Sequence, residues 1–240
     1  MPQPYQRIFL LSHMRAYTSL LGHILGSHPA INGYYEMQMA YASEQALTQQ
    51  EQFYARQDSF KPGSRYLFDK LLHNKHTLNL QLPGLENAIL ILALRQPEQT
   101  LKSIINLFAQ KDTDHPYSYP EKATRYYLER LENLATFSQR HPQRYYYFDA
   151  ELIRSDTEST LKKLEKWLQL DSPLTPHYHR FSKTGVAGAG DTSAAIGSGT
   201  IINQETQYPN IQLETGPLQQ AIHNYWECRA QLMRNALETM

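Results

Sequence analysis

Seven consecutive apolar residues, Ala88-Ile89-Leu90-Ile91-Leu92-Ala93-Leu94, constrain this chain more than any other stretch. The run is far too short to cross a bilayer, which takes roughly 20 residues. It lacks the alternation of a strand that is wetted on one face. It therefore predicts a central strand covered on both faces, as in a parallel sheet. Arg95 ends the run, and Pro97 fits the first position of a helix with Leu101, Ile104, Ile105 and Phe108 on one side.

Other parts of the chain repeat this alternation. Ile8 to Leu11 reads as a short buried strand, Ser12 to Ser19 as a polar turn, and Leu20, Leu21, Ile24 and Leu25 as one face of a helix that stops at Gly26. Pro29 to Glu36 is a short strand, and Arg65 to Lys70 a further one after the turn Pro62-Gly63-Ser64. Met37 to Tyr54 predicts a surface helix or two. Glu121 to Arg140 predicts an amphipathic helix, and Arg144 to Phe148 a strand. Asp156 is placed to cap a helix carrying Leu161, Leu164, Trp167 and Leu168, and Pro217 opens the last helix, which packs on the body or on a partner chain. Strands that alternate with helices predict an α/β fold, a three-layer sandwich with a mainly parallel central sheet, P-loop NTPase-like, and with ligand at the carboxyl ends of the strands. At 240 residues one domain is expected, 1–240, with a helical insertion at about 37–60 and a glycine-rich loop plus helix at 182–240.

Composition narrows the function. Lys and Arg number 23 against 23 Asp and Glu, so no global field draws the chain to nucleic acid or to a membrane, and an anion site must be built locally. Cys228 is the single cysteine, which excludes an internal disulfide and a zinc knuckle. The ten histidines form no metal signature, so no metal is expected. Without a secretory signal or a long apolar span, the expectation is a cytoplasmic protein. The 17 tyrosines, dispersed in pairs and runs, are expected to pack half-buried with their hydroxyls toward water.

Two strand-to-helix turns carry the chemistry. In the first, the free N–H groups and dipole of a helix N-terminus meet Arg15, Thr18 and Ser19, which makes a cradle for phosphate or sulfate. It is not the nucleotide triphosphate loop, since glycine is absent from Ser12 to Leu21. Arg15-Ala16-Tyr17-Thr18-Ser19-Leu20-Leu21 instead resembles the loop of the sulfotransferases that use 3'-phosphoadenosine 5'-phosphosulfate (PAPS), with Met14 in place of Pro and Tyr17 in place of Gly. In the second turn, Arg95, Pro97 and Ser103 resemble that family's other signature, which holds the 3'-phosphate.

The resemblance, closest in pattern to tyrosylprotein-type and bacterial sulfotransferases, covers roughly 7–200. It implies PAPS as donor, adenosine 3',5'-bisphosphate (PAP) as product, and an acceptor hydroxyl or amine on a small molecule or peptide. It implies that Glu36 is the general base, with His73 the runner-up, and that Arg15 and Lys70 offset charge on the transferred group. The backbone and hydroxyls of Ala16, Tyr17, Thr18 and Ser19 would hold the 5'-phosphate, and Arg95 and Ser103 the 3'-phosphate. Lys183, Gly188, Gly190 and Asp191 resemble in outline the family's C-terminal nucleotide loop. Two other classes stay open, a P-loop phosphotransferase and an inactive nucleotide-binding module. A homodimer is also open.

Overall fold

A computed structural model describes residues 5–112, 114–186, 191, 193–204 and 206–240. Its centre is a sheet in the order β2-β3-β1-β4-β5-β6, with every strand pair parallel. The strands are β1 (Gln6–Leu11), β2 (Ile31–Asn32), β3 (Tyr66–Leu71), β4 (Ile89–Leu94), β5 (Tyr146–Asp149) and β6 (Glu238–Thr239). The helices are α1 (Thr18–Ser27), α2 (Glu44–Gln57), α3 (Pro97–Lys111), α4 (Pro120–Arg140), α5 (Leu152–Ser155), α6 (Thr157–Leu168) and α7 (Thr215–Asn235).

The apolar run is β4, beside β1 at the centre of the sheet. Successive side chains of a strand point to opposite faces, and here each face has its own core. Leu90, Leu92 and Leu94 join Leu101 and Ile104 of α3, Leu131 and Leu134 of α4 and Tyr225 and Leu232 of α7. Ile89, Ile91 and Ala93 join Leu21, Ile24 and Leu25 of α1 and Leu164, Trp167 and Leu168 of α6. Both faces are therefore helix-covered, so no position in the strand tolerates a polar side chain. Each such Leu or Ile contributes about 1.5–3 kcal/mol when fully buried.

Register sets the site. Leu11 of β1 lies opposite Leu71 of β3 and Leu92 of β4, so the loops after these three strands leave from one edge of the sheet.

Several expectations change in detail. The segment after Glu36 is not helical until Glu44, and Tyr41 instead forms an isolated bridge with Leu78. Gly26 lies inside α1, which ends at Ser27 with His28 in extended conformation as its cap. The role of Gly26 is close approach: a Cβ there would sit 2.7 Å from the Gly33 carbonyl oxygen, and one on Gly22 2.3 Å from that of Tyr34. Asp156 stands at the N-cap of α6, but its side chain makes no capping bond. Helix α7 begins at Thr215, one residue pair ahead of Pro217, and packs against α4 through Cys228, whose thiol donates to the Leu131 carbonyl at 3.4 Å.

The tyrosines depart furthest from expectation. Tyr41, Tyr127, Tyr145, Tyr147 and Tyr225 are buried, and so is Tyr126. Where bonds form they run inward: Tyr66 donates to the Leu168 carbonyl (2.7 Å) and Tyr145 to that of Leu232 (2.8 Å). Carbonyl groups at strand and helix ends lack partners in their own element, and a buried phenol satisfies both itself and them.

Candidate active site

The loop between β1 and α1 is held from below by α4. Arg130 Nε donates to the Ser12 carbonyl (2.8 Å), its Nη2 to the Leu71 carbonyl (2.5 Å) and its Nη1 to Asn74 Oδ1 (3.0 Å). Tyr126 accepts from Met14 N (2.8 Å) and donates to the Leu72 carbonyl (2.8 Å), while Tyr127 donates to the Arg95 carbonyl (2.8 Å). One helix thus fixes the ends of β1, β3 and β4. Burial lowers the Arg130 pKa to about 10.

His13 joins the two strand-to-helix turns directly. Its Nε2 accepts from Arg95 N at 3.0 Å, so the ring proton lies on Nδ1 and is donated to the Met14 carbonyl at 2.9 Å. Burial pulls its pKa down to about 4, so the ring is neutral, as the acceptor role requires.

Above this base the loop turns sharply, with Arg15 at φ 64 and Tyr17 at φ 52, both in the left-handed region. Tyr17 is the N-cap of α1, and the first helical bond runs from Leu21 N to the Tyr17 carbonyl (3.0 Å). The N–H groups before Leu21 are the ones an α-helix leaves without a helical acceptor. Thr18, Ser19 and Leu20 of this turn line a cavity of about 330 Å³.

The second strand-to-helix turn closes the same cavity. Arg15 Nε donates to Ser103 Oγ on α3 at 2.8 Å, and Arg95 Nη1 to the Arg15 carbonyl at 3.0 Å. The C-terminal segment covers the opening: Tyr208 donates to Ser103 Oγ (3.0 Å), and Asp191 accepts from Arg15 Nη1 (3.1 Å) while its N–H donates to Ser19 Oγ (3.1 Å). Burial raises the Asp191 pKa, but Arg15 and the bonds from Ser193 outweigh it and leave the carboxyl below its usual range. Among the described residues, Arg15, Arg95 and Arg154 line the cavity together with the carboxylate of Asp191. Such a cavity suits a ligand with several negative charges.

A second cluster lies beside it on β3. Lys70 is 1 % exposed and its Nζ donates to Ser19 Oγ at 3.4 Å, which links the cluster to the cavity. Burial lowers the Lys70 pKa against the opposing charges of Glu36 and Asp69. Glu36 has its carboxyl raised by burial against the pull of Lys70 and Arg130, and its Oε1 is buried without a hydrogen-bond donor, with His76 Nδ1 3.7 Å away. Asp69, wholly buried and pushed up to about 7 by burial, accepts from Tyr41 Oη (2.6 Å), Met37 N (2.8 Å) and Lys70 N (2.7 Å). It thereby ties the Glu36 segment to the Lys70 strand, and through Tyr41 N, which donates to the Thr77 carbonyl (2.7 Å), to the loop of His73 and His76.

The structure brings Arg15, Tyr17, Thr18, Ser19, Arg95 and Ser103 around one cavity. Ala16 backs them, its methyl buried in the core cluster of α1 and α6. Glu36 and Lys70 form the adjoining cluster. His73 stands behind it, packed on the Tyr126 ring at 5.5 Å between centroids, with its pKa lowered to about 4 by burial. Lys183 does not line the cavity, and its Nζ sits 4.0 Å from the centre of the Tyr35 ring. Gly188, with Gly190, lies outside the described residues. Sequence reading missed Arg154 and Tyr208, which carry no local signal, and Asp69, whose place beside Lys70 was the one clue. Among the described residues no cluster of His, Cys, Asp and Glu could hold a metal ion, and no helix is long and apolar enough to cross a membrane.

The Sulfotransferase family matches residues 7–174, more than half of the chain, and the chain belongs to that family. No curated protein matches it in sequence. Among solved structures, the sulfotransferase domain of the curacin biosynthetic pathway superposes with a TM-score of 0.63 at 17% identity, covering 94% of this chain and 99% of that one. The sulfotransferase domain of the Synechococcus PCC 7002 olefin synthase gives 0.59 at 17% identity, covering 94% and 96%. Mouse sulfotransferase SULT7A1, solved with PAP, gives 0.51 at 11% identity, covering 96% and 85%. At these identities the likeness is one of fold, and it agrees with the α/β sheet described above.

Proposed function

We propose that the protein transfers the sulfuryl group of PAPS to a hydroxyl or amine of a small-molecule or peptide acceptor and releases PAP. The observation that carries this reading is the Arg15–Ser103 bond, 2.8 Å, which joins two separate strand-to-helix anion turns around a cationic cavity. A mononucleotide with one phosphate needs one such turn, whereas PAPS carries anionic groups at both its 5' and 3' positions.

Thr18, Ser19 and the start of α1 would hold the 5'-phosphosulfate, and Arg95 and Ser103 the 3'-phosphate. Glu36 accepts the acceptor's proton as the new bond from sulfur to the acceptor oxygen or nitrogen forms and the bond from sulfur to the bridging oxygen breaks, leaving that oxygen on PAP. A carboxyl raised by burial is a stronger base than an exposed one and so fits the role. Lys70, linked to Ser19, lies on the path between base and cradle and stabilises charge on the departing oxygen, with Arg15 acting from the cavity side.

Calorimetric titration tests the donor half of the reading. PAP should bind, AMP and ATP should bind far more weakly, and Arg95→Ala should erase most of the difference. Preference for ATP with Mg²⁺ would instead point to a phosphotransferase.

A further inference from the structure

Tyr17 occupies the left-handed region at φ 52 and ψ 20. A non-glycine residue stays there only where its surroundings hold it, and such outliers gather at functional sites. Here the surroundings are the core around α1 and α6, against which the ring packs, and two guanidinium groups. The Cζ of Arg95 lies 4.3 Å from the Tyr17 ring centre and that of Arg154 5.1 Å, and Arg154 Nη1 donates to the phenol oxygen at 3.1 Å. The ring attracts both cations, which offsets the repulsion between them. The further bonds of Arg154 go to the Ile202 carbonyl (2.8 Å) and the Gln204 carbonyl, neutral acceptors that leave its charge in place. All three side chains line the cavity.

Sheet order gives the pair a direction. Along β3-β1-β4-β5 the site residues follow as Lys70, the Arg15–Ser19 turn, Arg95 and Arg154. The base and Lys70 stand at one end of this row, and the guanidinium pair at the other, so the pair faces the part of a nucleotide furthest from the reacting group.

We infer that Tyr17 and Arg154 are specificity-determining residues, which hold a second guanidinium beside Arg95 as a seat for the nucleotide's 3'-phosphate. A phosphomonoester carries nearly two negative charges at neutral pH, and Arg154 sets a second guanidinium beside Arg95 to meet them. The inference rests on the PAPS reading above. In place of a glycine that lets the backbone approach the ligand, Tyr17 supplies a ring that orders two cations around it.

The test is titration of wild type, Arg154→Met, Tyr17→Gly and Tyr17→Phe with PAP and with AMP, each variant checked by thermal melting. Arg154→Met and Tyr17→Gly should each lower the preference for PAP over AMP at least tenfold, and in Arg154→Met AMP affinity should move less than threefold. Tyr17→Phe, which keeps the ring and loses the hydroxyl, should lose less and stay folded. An unchanged preference in these variants overturns the inference alone. So does a parallel loss for both nucleotides, which would mean that Arg154 only fastens the 202–204 segment. Wild-type protein that binds neither nucleotide overturns the PAPS reading itself.

Discussion

The cavity and the cluster beside it handle charge in opposite ways. In the cavity, Arg15, Arg95 and Arg154 stand among the described lining residues with Asp191, the lining is open to ligand, and the hydroxyls of Ser19 and Ser103 each join two partners. In the cluster, Asp69 and Lys70 are sealed from solvent, Glu36 is largely buried, and an ammonium faces two carboxylates. Burial raises both carboxyls and lowers the ammonium, so their proton affinities move toward one another. The cavity's arginines are suited to binding an anion, and the cluster's opposed charges to moving a proton. Ser19 is the side chain common to both, through Lys70 on one side and Asp191 on the other.

The largest effect expected on either side is that of Arg15→Ala. Loss of the guanidinium that bridges Ser103 and Asp191 should cut PAPS turnover by about 10³-fold or more with the fold intact, as measured by PAP release and melting. Substantial residual turnover would end the assignment of charge stabilisation to Arg15. Glu36→Gln should separate the two regions most cleanly: turnover falls by about 10²–10⁴-fold while PAP affinity in calorimetry stays the same. If PAP affinity falls in step, the cluster is part of the binding site and the contrast fails.

Arg130→Leu should damage both regions together, because it strips partners from the Ser12 and Leu71 carbonyls at the ends of β1 and β3. The Leu71 carbonyl keeps its bond from Ser12 N (3.2 Å) but the Ser12 carbonyl is left without a donor among the described residues, and at about 1–3 kcal/mol for an unsatisfied buried group urea denaturation should show a loss of about 2 kcal/mol or more.

Asp69 predicts a pH effect of opposite sign to that of the buried histidines. His13, His23 and His73, pulled down from 6.5 to about 4 by burial, take up protons more readily in the unfolded chain, so they make stability rise between about pH 4 and 6.5. Asp69, pushed up from 3.8 to about 7, keeps its proton in the folded state. Its contribution is therefore present below pH 3.8 and is lost as pH rises through 7. The stability of Asp69→Asn relative to wild type should rise by a few kcal/mol from pH 4 to 7, read from denaturation at each pH. A flat difference would remove Asp69 from the cluster's proton balance. The smallest change is expected far from both regions: Asp156→Ala should shift stability by less than about 0.5 kcal/mol, because the side chain makes no capping bond.

The sequence by itself determined the alternation of strands and helices, the central place of Ala88 to Leu94, and the two strand-to-helix turns with Arg15 and Arg95. These are local properties: a residue's neighbours along the chain decide its periodicity, and a polar turn between a buried strand and an amphipathic helix is visible in a dozen residues. Tertiary structure alone decided which distant groups meet. The short β6 strand at 238–239 pairs with β5 although nothing in its composition marks it, and Arg154 reaches Tyr17 across 137 positions of sequence. Tyr126, Tyr127 and Arg130 lie in a stretch that reads only as an amphipathic helix, yet they anchor three strand ends, because strand ends leave carbonyl groups whose partners come from whichever element packs nearby. The left-handed turn at Tyr17 was equally illegible, since tyrosine has no preference for that conformation and its ring meets two arginines from other elements and the core around α1 and α6.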